Sequence, residues 1–307
     1  MKLVTSYLLN RDNRELQIVA CRLTIDILPG LEASVVFNLE SVCVICQTKF
    51  IDLFLKFHFF FSFHKTGLID RLFIWARDED EPLQSYATGL LATAMDLSEI
   101  AAHFKSQNAE LIPIMLKKLK TLMEERRKQT NENFQQTNQD FHLLSPNHNH
   151  SINHNHLEPA TKRRRISSPL NDCSNSSWAE LESYVIGSSK VYPLTNEISQ
   201  RFIYQYLSSI GSYQEFLSNV YEYNVLAMIL ENIDLNQNPD VRLAFESLRY
   251  LSSLICHKKF ALEFGNNDGI QRLLKVYKQS LAACGVSLCL SNIAYHEDVM
   301  EKVNCYF

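Results

Sequence analysis

Glycine and proline are scarce in this sequence, eight of each among 307 residues. A many-stranded sheet needs such residues at its turns, so their scarcity points to helices. A strong excess of one charge is also missing. The formal net charge is −4, which disfavours direct nucleic-acid binding by the chain as a whole. No apolar run suits a membrane span, because the most apolar stretch, 35–63, is broken by Glu40, Lys49, Asp52 and Lys56. The opening MKLVTSYLLNRDNRE is a poor secretion signal: Thr5 and Ser6 interrupt its short apolar part, and no small-residue cleavage site follows. The familiar catalytic signatures are lacking too. There is no Gly-rich phosphate loop, no G-x-S-x-G, and no H-R-D or D-F-G triplet. These absences predict a protein that is not an enzyme, with no catalytic residues and no cofactor.

Hydrophobic residues make up 46% of the chain, enough to bury a sizeable core. The eight cysteines, Cys21, Cys43, Cys46, Cys173, Cys256, Cys284, Cys289 and Cys305, are scattered, and most sit among apolar residues. That pattern reads as reduced, buried thiols in an intracellular protein. Cys43 and Cys46 have the spacing of half a zinc site, but a structural zinc needs four ligands and no second pair stands at suitable spacing. His142, His148, His150, His154 and His156 alternate with asparagine in the manner of low-complexity sequence. No metal site is expected.

Helical periodicity recurs along the chain. Leu16, Val19, Ala20, Leu23 and Ile27 share a spacing that Pro29-Gly30 ends. Leu83, Ala87, Leu90, Leu91 and Ala94 follow Pro82 and the acidic run Asp78–Glu81, which suits a helix start. A third helix carries Ile112, Met115, Leu116, Leu119 and Met123 and is expected to end at the basic run Arg126–Lys128. After residue 197 the pattern returns with Ile198, Phe202, Tyr206 and Ile210, then Leu226, Ile229, Leu230 and Ile233. Asn238-Pro239 offers a cap ahead of Val241, Ala244, Leu248, Leu251 and Ile255, and the series goes on with Ile270, Leu273, Leu274 and Tyr277, then Val286, Cys289, Leu290 and Ile293.

These segments form a repeat. The stretch from Gly67 and the stretch from Asn224 each hold a short apolar helix, a polar turn, a proline and a longer helix. Ala87 and Ala244 stand at the same offset after Pro82 and Pro239, as do Leu91 and Leu248. A further unit starts at Gly269-Ile270, and Gly67 and Gly269 both suit a tight turn into a helix. A period of roughly 40–47 residues with two or three helices per unit is the armadillo/HEAT signature, and such units stack into a solenoid. The expected fold is therefore all-α: an armadillo/HEAT-like solenoid interrupted by a disordered linker. Solenoids present long concave surfaces, so protein binding is the expected work.

The linker is placed at 129–196. Gln, Asn, His and Ser dominate its first part, which cannot bury enough apolar area to offset its ordering entropy. Within it, Lys162, Arg163, Arg164 and Arg165 precede Ser167-Ser168-Pro169. The basic cluster reads as a nuclear-import signal, with Ser168 as a phosphorylation site able to tune it, and the protein is expected in nucleus and cytoplasm.

Residues 66–104, 247–274 and 283–303 resemble the Vpr-binding protein family, also called Mahjong, with EPLQSYATGLLATAM, Glu81 to Met95, the most specific stretch. The resemblance implies a substrate receptor of cullin-4 RING ubiquitin ligases, whose partners are the protein targets of ubiquitination. It further implies that 1–37, 66–128 and 197–307 are parts of the family's amino-terminal armadillo-like region. Docking on the ligase adaptor belongs in the family to a carboxy-terminal propeller, so this chain is expected to join a ligase only where that propeller is present. The family places Val-Val-Phe, here Val35–Phe37, close before the Gly-Leu-Ile helix. The intervening Phe-rich residues 38–65 are therefore expected to be a translated intron, with 304–307 read past an exon end. Outside the resemblance, an importin- or catenin-like adaptor is the alternative, but Trp75 and Trp178 are the only tryptophans, too few for an importin's Trp ladder.

Overall fold

A computed structural model of the protein describes residues 13–30, 67–143 and 187–304, and the described residues hold thirteen α-helices, two short 3-10 turns and no strand. They fall into two compact units, one drawn from 1–122 and 183–307, the other from 123–182. The repeats lie in the first. Their helices are α1 (Arg14–Ile27), α2 (Leu68–Asp78), α3 (Leu83–Met95), α4 (Ser98–His103) and, as far as residue 122, α5 (Lys105–Leu143). Beyond the linker come α6 (Asn196–Ile210), α7 (Leu217–Glu222), α8 (Val225–Asn232), α9 (Val241–Ile255), α10 (Lys258–Asn266), α11 (Gly269–Lys275), α12 (Ala282–Ile293) and α13 (Glu297–Asn304).

The core of the unit is a ladder of long helices. α1 packs on α3, α3 on α6, α6 on α9 and α9 on α12. The short helices α2 and α8 back α3 and α9. The positions matched between repeats are ladder positions: Ala87, Ala244, Leu91 and Leu248 are all fully buried. The fold is thus an all-α helical solenoid, and each unit buries its apolar face against its neighbours.

Three short helices open alike. Gly67, Asn224 and Asp268 stand in the left-handed conformation, with φ of 60°, 50° and 57°, immediately before α2, α8 and α11. Glycine takes that conformation freely, and Asn and Asp are the side-chain residues that tolerate it. The repeat pattern assigns the last such turn to Gly269, whereas the structure assigns it to Asp268. Gly269 is already helical and serves close packing: a Cβ there would lie 2.2 Å from the Phe264 ring.

Local chemistry departs from the sequence pattern in other places. The cap of α9 is Asp240, whose carboxylate accepts from the amides of Arg242 and Leu243 at 2.9 and 3.0 Å, and not Asn238. Asn238 instead donates to the Asn232 carbonyl at 2.8 Å and is buried. On α1 the buried face is Gln17, Ala20, Cys21 and Thr24, so Val19 and Leu23 are exposed. The stripe that α1 buries where it packs on α3 is thus small and polar. Tyr277 is exposed as well, since α11 ends at Lys275. Cys21 and Cys289 are buried thiols, with burial pushing Cys21 up to about 12 and Cys289 upward too, but Cys256 and Cys284 are exposed.

α5 does not stop at the basic run. It continues to Leu143 with Pro113 inside it. No Gly or Pro stands between Pro113 and Pro146, and Glu, Gln, Lys and Arg are good helix formers. Residues 38–65 and 144–186 lie outside the described residues.

Two glycines let ladder helices approach. A Cβ on Gly89 of α3 would lie 2.8 Å from the Phe202 ring of α6, and one on Gly285 of α12 would lie 2.6 Å from Leu248 Cβ on α9. Gly to Ala inside an exposed helix gains about 1 kcal/mol. At Gly285 the obstructing atom is fixed to the α9 backbone and cannot rotate away, so an overpacking loss of about 1–3 kcal/mol wins. Gly285→Ala is expected to lower the melting temperature. A melt at or above the parent's would show that α9 and α12 can spread without loss.

Candidate functional site

The open face of the ladder carries a cavity of about 850 Å3. Gly89 and Thr93 of α3, Phe202 and Gln205 of α6, and Phe245, Glu246 and Arg249 of α9 line it. Side chains tie the three helices together beneath it. Ser209 Oγ donates to Asp96 at 2.6 Å, Ser85 Oγ to Ser199 Oγ at 3.0 Å, and Gln205 Nε2 to Glu246 at 2.8 Å.

Residues 187–194 cross this face on their way into α6, which Thr195 caps through the Ile198 amide at 3.4 Å. Three main-chain carbonyls of this strap are held by side chains of three ladder helices. Arg242 Nε of α9 donates to Gly187 O at 3.2 Å, Arg201 Nη1 of α6 to Ser188 O at 2.9 Å, and Tyr86 Oη of α3 to Val191 O at 3.1 Å. The fourth contact comes from α1, where the Arg22 guanidinium sits 4.6 Å from the Tyr192 ring centroid. The strap therefore runs α9, α6, α3, α1, against the chain order of the ladder.

Burial shapes the charges of the groove. It lowers the pKa of the Arg201 guanidinium, against the opposing pull of Asp240 at 4.0 Å. It raises the Glu246 carboxyl, although Arg249 at 3.2 Å and Gln205 favour its ionised form. Folding therefore favours protonated Glu246. Its contribution is fully present below the ordinary carboxylate range and is lost as pH rises through the raised value. Glu246→Gln should remove that dependence: the difference between parent and variant stability should shift in the variant's favour from pH 4 to pH 7. Chemical denaturation at both pH values reads this, and a constant difference would refute it.

None of the groove residues stands out in the linear sequence as a site. The available signal is a polar stripe: Arg201, Gln205 and Ser209 on α6, and Arg242, Glu246 and Arg249 on α9, at helical spacing opposite the apolar faces. The sites that do stand out fall elsewhere. Lys162, Arg163, Arg164, Arg165 and Ser168 lie outside the described residues, as do Cys43, Cys46 and Trp178. Trp75 is buried on α2, where Arg71 stands 5.9 Å from its ring, so it does not face the groove. The acidic run is occupied within the chain. Asp78 pairs with Arg77 at 2.9 Å, Glu79 and Asp80 with Arg14 at 3.6 and 3.9 Å, and Glu81 with Lys118. Among the described residues no cluster of His, Cys, Asp and Glu could hold a metal, and no helix is long and apolar enough to cross a membrane.

Stacked helical units with a continuous face crossed by an extended segment define a helical-repeat protein of the solenoid class. The model of the Mahjong helical domain matches residues 78–307, and that of the DCAF1 N-terminal domain matches residues 1–30. The chain belongs to the Vpr-binding protein, or Mahjong, family. It is 36% identical over 342 residues to the DDB1- and CUL4-associated factor homolog 1 of Caenorhabditis elegans, a match covering 98% of this chain and 19% of that protein. To Protein mahjong of Drosophila melanogaster it is 38% identical over 319 residues, covering 96% of this chain and 19% of the relative. The chain thus spans about a fifth of the length of these curated relatives.

Proposed function

We propose that this chain is the armadillo-like, noncatalytic part of a substrate receptor of a cullin-4 ubiquitin ligase and that its ladder face holds protein targets. The observation that carries the reading is the match along nearly the whole chain to a DDB1- and CUL4-associated factor. The open groove on four ladder helices supports a holding role, and its side chains offer hydrogen bonds to a polypeptide backbone. The mechanism is proximity: the scaffold presents a target to a ligase core that performs the chemistry. Contact with the ligase adaptor is assigned to other parts of the full-length receptor. Lys162–Arg165 serve as the nuclear-import signal, and a phosphate on Ser168 would weaken their net positive charge.

Affinity purification from cells with mass spectrometry tests the reading, using this 307-residue chain beside the longer Protein mahjong of Drosophila melanogaster. Targets are expected with both, and the cullin-4 adaptor with the longer chain. Absence of the adaptor from both would overturn the assignment. For the import signal, replacing Lys162–Arg165 with alanine should move a fluorescent fusion from nucleus to cytoplasm, and an unchanged distribution would refute it.

A further inference from the structure

We propose that the strap at 187–194 is a built-in occupant of the groove, and that the groove's external ligand is an extended segment with a glycine five positions, and an acidic residue four positions, ahead of an aromatic one. The inference rests on reading the ladder face as target-holding and adds what it takes and how access is controlled.

The strap is bound as a peptide ligand would be. Its polar grip is on the main chain, one carbonyl per ladder helix at Gly187, Ser188 and Val191, and one side chain is read, Tyr192 beneath Arg22. Main-chain recognition constrains the strap's own sequence only at Gly187, whose φ of 73° favours glycine and whose Cβ position lies 3.1 Å from Arg242 Cγ, so another extended segment that opens on glycine and runs in the same direction can make the same bonds. Tyr192 itself is 63% exposed and Ser188 to Lys190 are exposed, so little apolar area holds the strap down. Its advantage is the tether, since attachment to α6 gives it an effective concentration of about millimolar.

A competitor must beat that advantage with stronger bonds, and the groove shows where. Arg242 and Arg201 now donate to neutral carbonyls. A carboxylate carried at the Ser188 position would take charge-assisted bonds from them, roughly twice as strong. The nearby carboxylates are already engaged: Asp240 caps α9 and stands 4.0 Å from Arg201, Glu246 is held by Arg249 and Gln205, and Asp96 accepts from Ser209. Asp26 lies at the α1 end of the cavity, where an aromatic ring, not an acid, is required. The two arginines at one end and Arg22 at the other therefore set the pattern of an acid first and an aromatic residue after.

Two labelled peptides test this by fluorescence anisotropy on the intact chain. One carries the strap sequence GSSKVYPLT and the other GESKVYPLT, which keeps the glycine that the left-handed first position requires. The acidic peptide is expected to bind about tenfold or more tightly than the neutral one. Tyr192→Ala, an exposed position that should leave the fold intact, weakens the strap and should tighten the acidic peptide about two- to five-fold. Arg242→Gln should weaken it about tenfold. Replacing the peptide's own tyrosine with alanine should weaken it without any change to the protein. Equal binding of the two peptides, or an affinity indifferent to Tyr192→Ala, would overturn the proposal. Neither result bears on recovery of the ligase from cells, so the functional reading stands or falls separately.

Discussion

Leu248→Ala is expected to lower the melting temperature of the protein by about 5–15 °C. Leu248 is fully buried on α9, at the joint with α12. Its Cβ faces the space that Gly285 leaves open, and the Cys289 thiol of α12 donates to its carbonyl at 3.3 Å. Truncation removes apolar contacts and leaves a cavity, a loss of about 2–5 kcal/mol for buried leucine. In a solenoid each unit is held mainly by its neighbours, so a weakened joint should release the units beyond it together. Thermal denaturation read by circular dichroism checks the size. Hydrogen exchange checks the location, because faster exchange should concentrate in α11 and α12. A loss below about 1 kcal/mol would mean that the joint closes around the smaller side chain.

Tyr206→Phe should destabilise the protein by about 1–3 kcal/mol although it removes a single oxygen. Tyr206 is fully buried on α6, and its hydroxyl donates to Asn108 Oδ1 on α5 at 2.7 Å. Asn108 is itself buried, and its amide donates to the Ala101 carbonyl at 3.4 Å. Burial pushes the Tyr206 phenol well above its usual range, so it remains a donor at any working pH. Phenylalanine would leave the Asn108 oxygen without its donor and out of reach of water. Asn108→Leu alone should cost a similar amount by stranding the hydroxyl. The double variant should lose less than the sum, because both halves of the bond go together. Additive losses would show that the two groups are not coupled.

Two histidines extend the repeat beyond its apolar positions. His257 follows α9 and donates a ring N–H to the Gly211 carbonyl at the end of α6 at 3.0 Å. His296 follows α12 and does the same to the Ile255 carbonyl at the end of α9 at 2.7 Å. Each reaches back to the preceding ladder helix and satisfies a carbonyl left over where that helix ends. In sequence they are lone histidines with no motif around them. Their equivalence shows only once the ladder is in register.

What the sequence determined by itself is the set of helices and their repetition. Apolar residues at 3.6-residue spacing mark the buried faces of α3, α6, α8 and α9, because burial of one stripe is what makes a short helix stable. The matched offsets of Ala87 with Ala244 and Leu91 with Leu248 carry the solenoid, since every unit must offer its neighbour the same surface. Tertiary structure decided the rest. Which face of α1 turns inward and whether Gly269 serves a turn or a close approach depend on what packs against them, and α9 is capped by Asp240 because the Asn238 side chain is drawn to the Asn232 carbonyl. The groove is the extreme case. Arg22, Tyr86, Arg201 and Arg242 are far apart in the chain and ordinary in composition, and stacking alone brings them to one strap. A periodic pattern specifies what each helix buries, but a site on the opposite face is made by the spacing between helices.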